Sequence, residues 1–94
     1  LAFYAKASEK FAKENPEPAI QAYATLSMGA YYGLTGQLDS AIQIFQEGYK
    51  IAQQIKDTTI LIKTAGSLGK FLVSAGKAKD ALEYLYSCLK LLEQ

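Results

Sequence analysis

The sequence predicts an all-α chain of five helices folded as tandem antiparallel hairpins. Three observations point there. The 94-residue chain matches itself at an offset of 40 residues without a gap. Within each matched segment, apolar and small residues recur at i, i+3, i+4 and i+7, the spacing of one helix face. Proline, aspartate and glycine fall where helices start and stop.

The matches lie mainly on small residues and helix punctuation. Lys10 pairs with Lys50, Ala12 with Ala52, Ile20 with Ile60, and Ser27 with Ser67. Gly29 pairs with Gly69, Gly36 with Gly76, and Ala41 with Ala81. One domain is therefore expected over 1–94, made of a truncated repeat at 1–15 and two repeats at 16–55 and 56–94. Residues 2–14 align with 42–54, the second helix of the following unit, and are read as the same helix of an earlier, truncated unit. The first helix of the next unit runs over 18–35, with Pro18 at a position where its missing N–H costs nothing and Gly36 as the stop. Its second helix covers about 38–55, with Asp39 in a first turn that favours an anion. The last unit repeats the scheme. Asp57 caps a helix that stops at Gly76, and Asp80 opens a final helix over about 78–93.

Two packing stripes follow. Thr25, Met28, Gly29 and Tyr32 answer to Ala65, Leu68, Gly69 and Leu72. Ala41, Phe45, Gly48 and Ala52 answer to Ala81, Leu85, Cys88 and Leu92. A glycine inside a helix costs roughly 1 kcal/mol against alanine. Gly29 and Gly69 are therefore expected where a partner helix comes close, facing Ala41 and Ala81.

Composition excludes several functions. Ten lysines, no arginine and nine carboxylates leave a net charge of +1, a poor footprint for nucleic acid. There is no histidine, so neither a Ser-His-Asp triad nor a His-containing zinc site can be built. The lone Cys88 cannot form an internal disulfide and is expected as a buried, inert thiol, which fits a reducing, cytoplasmic setting. No apolar run approaches the roughly 20 residues of a membrane span. The carboxylates are dispersed, and no pair is set apart for acid–base work. No catalysis, metal or cofactor is expected. The chain opens on Leu1 and reads as part of a longer protein.

Met28-Gly29, Tyr32, Gly36, Ala41 and Phe45, echoed by Leu68-Gly69, Leu72, Gly76, Ala81 and Leu85, resemble the tetratricopeptide repeat pattern L-G-x2-Y followed by A-x3-F. The chain departs from it in three ways. The tryptophan slot holds Thr25 and Ala65, the proline slot holds Gln53 and Glu93, and the period is 40 residues where about 34 is usual. The segment from Ile51 to Asp57 is similar to the longer-period branch seen in kinesin light chains, polarity adaptors and bacterial signalling regulators.

The resemblance implies hairpins stacked as a right-handed α-solenoid whose first helices line a concave groove for a peptide or helix of a partner protein. The face opposite the packing stripe carries Tyr23, Ser27, Ala30 and Leu34 in one unit and Lys63, Ser67, Lys70 and Ser74 in the next. Tyr23, Lys63 and Lys70 are the expected contacts to an extended or acidic segment. The family's carboxylate clamp uses asparagines, and none lies in these helices. The final helix is apolar on more than one side, and Leu82, Tyr86 and Leu89 are expected to be covered by a further repeat or by a second copy in a homodimer. Two functions fit this pattern. One is a protein-interaction scaffold, and the other is the peptide- or effector-sensing part of a bacterial transcriptional regulator.

Overall fold

The computed structural model describes residues 6, 7, 9, 10, 13, 14 and 17–93, with backbone alone at 91 and 92. Among the described residues four helices run in order and no strand is present: α1 (Pro18–Leu34), α2 (Leu38–Ile55), α3 (Thr58–Ser74) and α4 (Ala78–Leu92). Residues 6, 7, 9, 10, 13 and 14 are also helical. The rest of the expected N-terminal helix lies outside the described residues, as does the Leu92 side chain of the second stripe.

Local chemistry sets the helix ends. Pro18 opens α1. Asp57 caps α3, its Oδ1 accepting from the Ile60 N–H at 3.0 Å. Gly36 (φ 80°) and Gly76 (φ 79°) are left-handed, which frees the following residue to turn back. The Gln37 N–H then donates to the Tyr32 carbonyl at 2.9 Å, and the Lys77 N–H to the Leu72 carbonyl at 2.7 Å. These are one bond repeated 40 residues on. The end of α2 uses the same geometry without a glycine. Lys56 adopts φ 56°, and the Asp57 N–H donates to the Ala52 carbonyl at 3.1 Å.

Turns this short reverse the chain, so consecutive helices lie antiparallel and each packs on the next. The result is a slab with extents of 33 × 31 × 14 Å. α1 and α3 also approach one another directly, whereas α2 and α4 stand apart. Those two are bridged by side chains, the Tyr49 and Tyr84 rings meeting edge-on at 5.2 Å. The core centres on α2 and α3. Ala41, Phe45 and Ala52 are buried against Ile60, Ala65, Leu68 and Leu72, and the Phe45 and Phe71 rings stack at 5.6 Å.

The two interior glycines differ. A methyl on Gly29 would lie 2.6 Å from Cε2 and Cζ of Phe45, so the close approach is real and comes from that ring rather than from Ala41. A methyl on Gly69 would meet Leu85 at 3.6 Å, an ordinary contact. The expectation of a tight approach at Gly69 is therefore corrected. Leucine at 85 does not reach as far as phenylalanine at 45. Leu85 also departs from its expected burial and is 40% exposed. Phe45 is covered by α1 through Gly29 and stacks on Phe71 of α3, whereas at Leu85 the observed cover is α3 at Gly69.

Candidate functional site

The residues expected to line a groove fall on two helices that touch. On α1, Tyr23 (49% exposed) and Leu34 (69%) are open, with Ser27 half-buried between them. On α3, Lys63, Lys70 and Ser74 are exposed and Ser67 is half-buried. The first unit thus contributes apolar and aromatic surface and the second contributes cationic surface. Two of these side chains make local contacts. The Ser74 hydroxyl donates to the Lys70 carbonyl at 3.1 Å, and Lys70 Nζ lies 5.7 Å from the centre of the Phe71 ring.

A second surface lies on α4, where Leu82, Leu85, Tyr86 and Leu89 stand open. The internal repeat gives a measure of what this face lacks. Leu82, Leu85 and Leu89 are 54%, 40% and 55% exposed, whereas their counterparts Ile42, Phe45 and Tyr49 are 6%, 2% and 5% exposed. The same heptad-like face is buried in one unit and bare in the next. Cys88, which shares a stripe with Leu85, is buried as a free thiol as the sequence implied.

Between α2 and α4 lies a feature that sequence reasoning missed. A cavity of about 280 Å³ is lined by Gln46, Tyr49, Asp80, Glu83, Tyr84 and Ser87. A second, of about 330 Å³, adjoins it and shares Gln46 and Asp80. The Tyr49 hydroxyl is enclosed, and no group meets it at hydrogen-bonding distance and angle. Burial pushes its pKa up, and a loose hydrogen bond with the Ser87 side chain, outside that geometry, pulls it down by less. The buried hydroxyls of Thr25 and Thr64, by contrast, donate to the Ala22 and Ile60 carbonyls of their own helices. A phenol cannot reach its own backbone in this way. A tyrosine at a core position of a repeat was therefore the one available signal.

A third cavity, of about 320 Å³, lies where Glu9 and Lys13 meet Gln21 and Met28 of α1 and Ile51 of α2. Among the described residues no group of three His, Cys, Asp or Glu side chains could hold a metal ion. None of the described helices is long and apolar enough to cross a membrane.

In comparisons with known proteins, the family model described as tetratricopeptide repeat matches residues 21–94. No curated protein and no solved structure matches the chain.

Proposed function

This chain belongs to the tetratricopeptide repeat family, and from that we propose a protein-interaction scaffold that holds a peptide or helix of a partner against the α1–α3 face. Repeats of this family generally mediate contacts between proteins, and the family is typically non-enzymatic. In this reading the hairpins stack as a right-handed solenoid with α1 and α3 on the concave side. The direct approach of α1 to α3, while α2 and α4 stand apart, supports that curvature. The observation that carries the assignment is the pairing of bare Tyr23 and Leu34 with Lys63 and Lys70 on the adjoining helix. Such a surface takes an extended segment with an apolar side and a carboxylate, with Ser27, Ser67 and Ser74 as polar contacts. The test is affinity capture with the wild-type chain beside the double variant Tyr23→Ala, Lys70→Glu. A partner lost by the variant supports the α1–α3 face, and an unchanged set of partners moves the interface elsewhere.

The α4 face is the second contact surface in this proposal. Burial of its counterpart in the preceding unit favours cover by another helix, and a second copy of the chain through Leu82, Tyr86 and Leu89 supplies one. Sedimentation at rising concentration tests it. Dimerisation that disappears in Leu82→Glu, Leu89→Glu is expected, and a wild-type chain that stays monomeric throughout overturns the homodimer.

A further inference from the structure

The bare face of α4 continues onto α3. Ile62, Gly69 and Val73 form one stripe of α3, at i, i+7 and i+11, and Gly69 is the residue that faces Leu85 of α4. Ile62 and Val73 are 46% and 58% exposed, whereas their counterparts 40 residues earlier, Ala22 and Gly33, are fully buried and half-buried. α3 and α4 together therefore present one apolar shelf. In the preceding unit the matching shelf, on α1 and α2, is covered by α3. A cover of the same kind cannot sit on the open shelf. Phe71 of α3 lies against Gly33, where even an added methyl would overlap its ring. Val73 stands on the open shelf in the place of Gly33. A second copy set head to tail, with its α1 in the seat that α3 occupies, would drive Tyr31, the counterpart of Phe71, into Val73. Head-to-tail contacts are the kind that run on into open chains, and this one is blocked. The charges beside the shelf point to another arrangement. Lys79, Glu83, Tyr86 and Lys90 recur at i, i+4, i+7 and i+11, an exposed stripe of α4 flanking the leucines. Neither Glu83 nor Lys90 is in an ion pair among the described residues.

We infer that a second copy closes this shelf about a twofold axis, with the two α4 helices antiparallel. The inference rests on the homodimer proposed above and gives it a geometry. Antiparallel seating sets Leu82 opposite Leu89 of the second copy and Leu85 opposite its Tyr86. It brings Glu83 beside Lys90 of the second copy, and by symmetry that pair forms twice. Parallel seating would set Glu83 against Glu83 and Lys90 against Lys90. Ile62 and Val73 extend the contact onto α3.

Sedimentation equilibrium of the full chain, with helical circular dichroism to check folding, tests this. A single monomer–dimer equilibrium with no larger species is expected. Glu83→Lys and Lys90→Glu should each weaken dimerisation about tenfold, because one exchange turns two attractions into two repulsions. The double variant, Glu83→Lys with Lys90→Glu, should return to the wild-type value. Ile62→Ala with Val73→Ala should also weaken the dimer about tenfold, since each copy loses buried methyl groups. A dimer that the double exchange does not restore overturns the antiparallel seating while leaving the α4 contact in place. A dimer indifferent to the two alanines overturns the shelf and confines the contact to α4. Species larger than a dimer overturn the twofold closure. A chain monomeric at every concentration overturns this inference together with the homodimer beneath it, and leaves the α1–α3 face untouched.

Discussion

Gly29 and Gly69 occupy the same place in successive repeats, yet alanine should act on them with opposite sign. At either position alanine gains about 0.8–1 kcal/mol of helix propensity over glycine. At Gly69 nothing opposes that gain, because the added methyl meets Leu85 at 3.6 Å. At Gly29 the methyl would fall 2.6 Å from two atoms of the Phe45 ring and 2.9 Å from a third. That ring cannot swing aside, being 2% exposed and stacked on Phe71 at 5.6 Å. Overpacking of this kind costs about 1–3 kcal/mol, which more than offsets the propensity term. Gly69→Ala is expected to stabilise by about 1 kcal/mol and Gly29→Ala to destabilise by up to about 2 kcal/mol. A domain of this size moves its Tm by roughly 4–8 °C per kcal/mol, so the two variants should melt well apart. Thermal and urea unfolding followed by helical circular dichroism measures both. Phe45→Leu in the Gly29→Ala background recreates the pairing at Gly69 and should turn the added methyl from a cost into a gain relative to Phe45→Leu alone. Equal effects at the two glycines, or no change of sign in the leucine background, would refute the account of packing given above.

Other outcomes follow from single features. Lys56 holds φ 56° at the end of α2, where a side chain costs roughly 1–2 kcal/mol, so Lys56→Gly should raise the urea midpoint without changing the slope. Gly36→Ala and Gly76→Ala place a side chain in that same conformation and should lose about as much, measured the same way. Tyr49→Phe removes a buried hydroxyl that lacks a well-formed hydrogen bond and should be neutral or mildly stabilising at pH 7, whereas a loss of about 1 kcal/mol would show that its contact with Ser87 is a full hydrogen bond. The same variant carries a pH signature. Tyr49 has its pKa raised above 10.0 by burial, so the folded chain holds that proton more tightly than the unfolded one. Stability is then fully present below about pH 10 and falls as pH rises through the folded-state pKa. Alkaline unfolding should be steeper in wild type than in Tyr49→Phe.

What the sequence revealed, and what it did not, divides along the repeat. Much of what the offset of 40 residues carries was legible: helix order, the stops at Gly36 and Gly76, the cap at Asp57, the burial of Ala41, Ala81 and Cys88, though not the exposure of Leu85 or the looser contact at Gly69. These depend on residues close in the chain, or on one face of one helix, where spacing maps directly to position. The left-handed Lys56 was not legible, because lysine carries no mark of that conformation. The furrow between α2 and α4 was not legible either. It is set by how far α2 and α4 diverge, and that divergence comes from what fills the space between them. The Tyr49 and Tyr84 rings meet edge-on between the two helices, and no periodicity within either helix records that distance. A repeat specifies each hairpin, whereas the residues that break the repeat set how the hairpins meet. Tyrosine stands at 49 where leucine stands at 89, and phenylalanine stands at 45 where leucine stands at 85. Both departures lie on the surface where one unit meets the next. They leave two features that the units do not share: a glycine pressed against a phenylalanine ring, and a buried phenol without a well-formed hydrogen bond.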